Sequence, residues 1–185
     1  LLFYQDIQKI NKMLNSGIIE DLQYIYSNRL NLGSVRTKEN VFWSLAPHDI
    51  SIFQYLTETK PLKITSTGGA FLQDGIHDTT LTILEYEGNI KGHIYVSWLH
   101  PFKEHRLIVI GSKGMISFED SAENKPLKLY SKCYDMSEGF PDKKDGPVEL
   151  IPYGEAMPLT EELKYFIKHL DGSPLKIANG QNAVD

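Results

Sequence analysis

At 185 residues the chain fits one domain with enough length to bury a substantial core, and 41% hydrophobic with 23% charged residues is an ordinary globular composition. A net charge of −5 with no lysine- or arginine-rich cluster argues against a nucleic-acid binder, and no apolar run reaches membrane-spanning length. The single Cys133 leaves no internal disulfide and no cysteine-based zinc site, which suits a reducing, cytoplasmic setting.

The first residues, Leu1-Leu2-Phe3-Tyr4, carry no initiator methionine or signal-peptide pattern. The last, Asn182-Ala183-Val184-Asp185, fall where a helical pattern starts, so the chain reads as a fragment of a longer protein. Residues 5–16 space Ile7, Ile10, Met13 and Leu14 as a helix does, with Gly17 as its stop. Residues 21–31 alternate and are rich in tyrosine and isoleucine, as a strand should be, and 32–39 form a polar loop.

The stretch 40–53 holds the sharpest chemistry. An extended, aromatic-rich lead is expected to run into a helix over 43–55, with Ser44 as N-cap and Pro47 tolerated in the first turn. On a 3.6-residue wheel Ser44, His48, Ser51 and Tyr55 share one side, and Phe42, Ala46, Ile50, Phe53 and Leu56 the other. Asp49 falls nearer the apolar side and reads as the partner of a buried donor or a backbone cap. His48 is a candidate proton acceptor, because a neutral imidazole near pH 7 takes a proton from a hydroxyl as hydride leaves the same carbon. The plainer reading is a histidine that bonds only a backbone carbonyl. Arg29, Asn31 and Arg36 lie on the strand and loop leading into this helix, where arginine forks suit phosphate or carboxylate. They read equally as solvated polar groups, and Trp43 as either a ring-stacking residue or a core anchor.

Beyond Lys60-Pro61 the pattern turns to strands at 62–72, 77–86, 90–99, 105–110 and 115–119, with turns at Glu87-Gly88-Asn89 and Gly111-Ser112-Lys113-Gly114. Gly68-Gly69 inside a strand marks a bulge or a close backbone approach. Weaker strands at 128–134 and 148–151 flank a polar stretch, 137–146, expected as a mobile loop. Residues 158–170 return to helix, with Leu159, Leu163, Phe166, Ile167 and Leu170 on one face. The absence of βαβ alternation gives α+β: helices on one face of a largely antiparallel open-faced sheet. The other face, with Tyr95, Trp98 and Ile110, is expected to meet another subunit.

His93, His100 and His105 do not have metal-site spacing, and 111–114 lacks the pattern of a phosphate loop. No G-x-G-x-x-G fingerprint occurs, so no dinucleotide-binding half is visible.

Four stretches together resemble the C-terminal domain of the Gfo/Idh/MocA oxidoreductases. They are Asn28-Arg29-Leu30-Asn31-Leu32-Gly33 through Arg36; Glu39-Asn40-Val41-Phe42-Trp43-Ser44-Leu45-Ala46-Pro47-His48-Asp49-Ile50-Ser51; Ser97-Trp98-Leu99-His100-Pro101-Phe102-Lys103-Glu104-His105-Arg106 followed by Val109-Ile110-Gly111-Ser112-Lys113-Gly114-Met115; and Leu2-Phe3-Tyr4 with the first helix. Within that family the subgroup most similar is the nucleotide-sugar 3-dehydrogenases. The resemblance implies a single substrate-binding and oligomerisation domain over 1–185, with the N-terminal Rossmann domain absent. It implies NAD or NADP as cofactor, held mainly by that absent domain and touched here by Trp43. It implies a nucleotide-sugar or related substrate, no nucleic acid, no membrane, and a homo-oligomer built through the sheet face. His48 matches the family's catalytic histidine, and Arg29, Asn31, Arg36, Asn40 and Ser44 fall on the side where relatives hold substrate. Ser44 also stands where many relatives carry an aspartate. The family's Glu-Lys-Pro lysine has no counterpart, since Lys60-Pro61 and Lys125-Pro126 lie elsewhere. Two alternatives stand beside this: a non-catalytic sugar-binding or assembly module, and a dehydrogenase of a free polyol or other substrate.

Overall fold

The computed structural model describes residues 2–184. The elements are α1 (Gln5–Asn15), β1 (Leu22–Leu30), α2 (Val41–Thr57), β2 (Lys63–Gly69), β3 (Thr79–Glu85), β4 (Lys91–Ser97), β5 (Glu104–Gly111), β6 (Met115–Glu119), β7 (Leu127–Tyr130), β8 (Cys133–Asp135), β9 (Asp142–Lys144), β10 (Val148–Leu150), α3 (Pro158–Lys168) and α4 (Gly180–Val184). Eight strands form one sheet in the order β10-β7-β6-β5-β1-β4-β3-β2. Every neighbouring pair is antiparallel except β1 with β4. The fold is therefore α+β with a largely antiparallel open sheet, as expected. The parallel pair arises because β1 returns to the sheet through α2 and the β2–β3 pair, a long crossover that strand periodicity alone does not report.

One sheet face is the core. Ile25, Ile94, Val96, Leu107, Val109, Ile116 and Phe118 point inward, where Ile7, Ile10 and Met13 of α1 and Val41, Ala46, Ile52, Phe53 and Leu56 of α2 are also buried. Gly92 lets the second half of α2 settle on the sheet. A Cβ there would stand 2.9 Å from the Ile25 carbonyl oxygen and 3.3 Å from the Phe53 ring. The Gly68-Gly69 signal resolves as a close approach rather than a bulge: the β2–β3 register is unbroken, and a Cβ on Gly68 would lie 2.6 Å from the Thr79 carbonyl oxygen.

The opposite face carries the alternate residues. Ile83, His93, Tyr26, Ile108 and Ser117 stand in register across β3, β4, β1, β5 and β6. Tyr26 stacks on His93 at 4.8 Å, and the Tyr24 hydroxyl lies 2.7 Å from His93 Nδ1. Tyr95 and Ile110 share this face half-buried, but Trp98 does not. It lies past the end of β4 and is buried in the core, its N–H donating to the Asp78 carbonyl.

Two further expectations are corrected. The polar stretch 137–146 is not wholly a loop, because its β9 pairs with β8 as a two-stranded ribbon. The second helix begins before Trp43. Asn40 caps it, its side-chain oxygen accepting the Trp43 N–H at 3.1 Å, so Phe42 and Trp43 are helical and not an extended lead. Ser44 is thus an interior residue, its N–H bonding the Asn40 carbonyl, and Pro47 lies beyond the first turn. Asn40 outcompetes Ser44 because its cap gives Val41 and Phe42 a helical home while Val41 donates to the His77 carbonyl.

Candidate functional site

Helix α2 crosses the sheet with one flank turned toward α1 and the end of β1. His48 sits on its exposed surface and Asp49, next in sequence, is 4% exposed and buried beneath it. Asp49 accepts two hydrogen bonds from one guanidinium: Arg29 Nε at 2.8 Å and Nη2 at 3.1 Å. The wheel reading of Asp49 as the partner of a buried donor is borne out, and Arg29 is that donor. Arg29 is the penultimate residue of β1, opposite His105 of β5 in register.

A second charged group stands across β5. His105 Nδ1 is 3.7 Å from an Asp120 oxygen, Lys125 Nζ is 2.8 Å from the other, and the His105 N–H donates to Ser121 Oγ. His105 first, then Lys125, hold the Asp120 carboxyl well below the usual carboxylate range against its partial burial. Between the two groups lies a cavity of about 40 Å³ lined by Tyr4, Asp6, Arg29, Asp49, His105 and Asp120 over an apolar floor that includes Ile52 and Phe118. Asp6 is buried, accepts the Ile7 N–H, and has its carboxyl pushed up to about 6, chiefly by burial.

These surroundings act on His48. Partial desolvation pushes its pKa down, and the Arg29 guanidinium and His105 add to that effect, while Asp49 opposes them. The result is an exposed imidazole biased toward its neutral form, on which the Arg29 charge acts by Coulomb repulsion. Such a group accepts a proton from a hydroxyl placed against it.

The other sequence candidates spread around the start of α2. Trp43 is 69% exposed, so it is no core anchor; the Phe42 ring meets it edge-on at 6.3 Å. Asn40 has its side-chain oxygen committed to the cap. Asn31 is half-buried at the end of β1, its N–H bonding the Ser97 carbonyl. Arg36 is exposed, 3.8 Å from Glu39, and its carbonyl accepts from Gln73 of the 70–78 loop. Ser44 is half-buried in the first part of α2. Arg29 and Asp49 thus form one ion pair lining the cavity, with the exposed His48 next to Asp49 in the chain and outside that lining, while Asn31, Arg36, Asn40 and Trp43 mark a rim at the end of the sheet where β1 stops and α2 starts.

Two acids escaped the sequence reading. Asp6 falls four residues before Ile10 and seven before Met13, so its place on the buried face of α1 was legible in the spacing. Asp78 is fully buried, with one oxygen accepting the Phe71 and Leu72 N–H groups at 2.6 and 2.9 Å. It fixes the arch that carries the exposed Phe71 and Leu72 beside the rim, and no spacing pattern announces that. Among the described residues no group of three or more His, Cys, Asp or Glu side chains is placed to hold a metal, and no helix is long and apolar enough to cross a membrane.

The comparisons with known proteins bear on the same architecture. Three solved structures share it: UDP-N-acetylglucosamine 3-dehydrogenase from Acidithiobacillus ferrooxidans (TM-score 0.74, 16% identity, covering 96% of this chain and 56% of that one); aldose-aldose oxidoreductase from Caulobacter crescentus complexed with glycerol (0.77, 12%, 99% and 55%); and an inositol dehydrogenase homolog from Azotobacter vinelandii complexed with NADH and myo-inositol (0.67, 16%, 86% and 47%). At these identities the likeness is one of fold. The chain spans about half the length of those structures. No curated protein sequence matches it. The family described as the GFO/IDH/MocA C-terminal domain matches residues 7–117. On that match, and with the sheet and helices in the arrangement its structural relatives share, the chain belongs to the Gfo/Idh/MocA oxidoreductase family as its C-terminal domain.

Proposed function

We propose that this chain is the substrate-binding and oligomerisation domain of an NAD(P)-dependent dehydrogenase acting on a sugar CH–OH group, with His48 as the residue that takes the hydroxyl proton. The observation that carries the reading is His48 itself: an exposed imidazole biased toward its neutral form by partial desolvation and by Arg29, at the open surface of a helix held to the sheet by the Arg29–Asp49 pair.

The relatives support the substrate class. One is a UDP-N-acetylglucosamine 3-dehydrogenase, one is an aldose-aldose oxidoreductase, and one was solved with myo-inositol, so all three point to polyhydroxy compounds. A nucleotide-sugar is our reading for this chain, with Arg36, Asn31, Asn40 and Ser44 on the substrate side of the α2 start. The aldose and inositol relatives favour a free polyol as the rival substrate, and competition between a UDP-sugar and a free polyol on the intact enzyme separates the two.

The inositol dehydrogenase homolog was solved with NADH, which supports a nicotinamide cofactor. The residues of this chain fit only its edge. Among the described residues the sheet has no strand–glycine-turn–helix cradle for a pyrophosphate, and Trp43 offers one exposed ring at the rim. The preceding half of a longer protein, a Rossmann domain, is therefore proposed to bind the dinucleotide. When bound, the nicotinamide exchanges hydride with the sugar carbon. This chain's own part is to hold the hydroxyl, present His48 to it, and accept or return the proton at the imidazole. No step is assigned to Ser44 beyond lining the substrate side of the helix.

The outer sheet face, with Tyr24, Tyr26, Tyr95, Ile108 and Ile110 across its middle, is proposed as the contact between copies, in a cytoplasmic enzyme. Replacing His48 by Gln in the intact enzyme tests the central assignment: turnover should fall about 10²- to 10⁴-fold with cofactor affinity kept. The isolated chain should neither turn over a UDP-sugar with NAD nor bind NAD tightly, and turnover by it would overthrow the division of labour.

A further inference from the structure

Arg29 and Asp49 are both largely buried, at 14% and 5% side-chain exposure, and they meet through two parallel N–H···O bonds. A buried ion pair is a poor stabilising device, since the cost of removing both charges from water is repaid only in part. An apolar pair of similar size would serve packing as well or better. The position of the pair gives it another use. Arg29 is the penultimate residue of β1, at the sheet's centre between β4 and β5, and Asp49 lies midway along α2 with His48 as its chain neighbour. A two-point fork fixes both the distance of the helix from the strand and its rotation about its own axis, which a one-point contact does not.

We propose that Arg29 and Asp49 are a positioning pair for His48: the fork sets the rotation at which α2 presents the imidazole, and the two donors it uses are withheld from substrate. This rests on reading His48 as the proton-transfer group, and it moves Arg29 from the substrate side of the site to the support beneath it. Arginine is the side chain suited to this use, because its planar fork holds a carboxylate at two points. Among the described residues, the charged and titratable groups acting on His48 are Arg29 from β1, His105 from β5 and Asp49 from its own helix; the first two favour the neutral imidazole and the third opposes them.

Imidazole titration by NMR on the 185-residue chain tests the pair directly. In R29Q the His48 midpoint should rise, in D49N it should fall, and in R29K, which keeps the charge on a single-point contact, it should stay near the wild-type value while α2 amides shift. A midpoint that does not move in R29Q overturns the proposal. If R29Q fails to fold, the apolar replacement R29M/D49L takes its place, and the α2 amide resonances around His48 should shift. Amides identical to wild type there overturn it too. In the intact enzyme R29Q should cut kcat and displace the acid limb of the pH–rate profile, with the sugar KM changed less than about threefold, and R29K should restore part of kcat. A tenfold rise in KM at unchanged kcat would make Arg29 a substrate contact and refute the pair. Full activity in H48Q with the R29Q midpoint still raised would instead leave the pair standing and remove the catalytic reading.

Discussion

Helices α2 and α3 are both rich in large apolar residues, yet the chain treats them in opposite ways. Val41, Ala46, Ile52, Phe53 and Leu56 of α2 are buried against the sheet and α1. Leu159, Leu163, Phe166, Ile167 and Leu170, from α3 and just past its end, are each more than half exposed, and the contact that ties α3 down is Tyr165 against Phe3 at 5.3 Å. The difference teaches where the chain is self-sufficient. The rotation and height of α2 are settled within these residues, so His48 has a defined direction; the apolar side of α3 is not used by the core that positions it.

That contrast sets an order of expected effects. Phe53→Ala, deleting a ring that is 1% exposed beneath α2, should cost about 3–5 kcal/mol in urea unfolding. A cost below about 1 kcal/mol would show that α2 is not anchored as described. Asp6 sharpens the picture from the α1 side. Its carboxyl titrates near 6 in the folded chain against 3.8 when free, so the folded state binds the extra proton, and stability falls as pH rises from about 3.8 through 6. Asp6→Asn should therefore stabilise the chain by about 2 kcal/mol at pH 7.5 and by almost nothing below pH 4; equal gains at both pH values would contradict the burial argument. Asn40→Ala removes the α2 cap and should cost about 1 kcal/mol, whereas Ser44→Ala should cost less, reversing the order the sequence suggested. At the small end, Leu163→Gln on α3 should change stability by less than about 0.5 kcal/mol while reducing binding of an apolar dye. A large loss there would mean that α3 is held by the core after all.

Much of this was legible in the sequence for reasons that can be named. Period-two alternation placed most of the strands, helical spacing placed α1 and α3, and Asp49's side of the wheel announced a buried partner. The rest depended on contacts between distant residues. Asn40 and Ser44 are both competent N-caps in sequence, and the choice was made by the His77 carbonyl that receives the Val41 N–H. The parallel pairing of β1 with β4, the β8–β9 ribbon inside a polar stretch, and the burial of Trp98 are likewise decided by what lies across the sheet. At the site, His48 was visible because an ionisable side chain stood on the polar side of an amphipathic helix. Arg29 was visible only as a charge. Its partner, twenty positions on, is the contact on which we propose that it supports the helix.

The central claim is that His48 carries the hydroxyl proton, and the pH–rate profile of the intact enzyme with a sugar substrate tests it most directly, with wild type and H48Q compared side by side. The account predicts an acid limb in wild-type kcat below the ordinary imidazole range, matching the His48 titration seen by NMR, and loss of that limb together with about 10²- to 10⁴-fold lower turnover in H48Q. An H48Q enzyme that keeps both its turnover and its acid limb would contradict it.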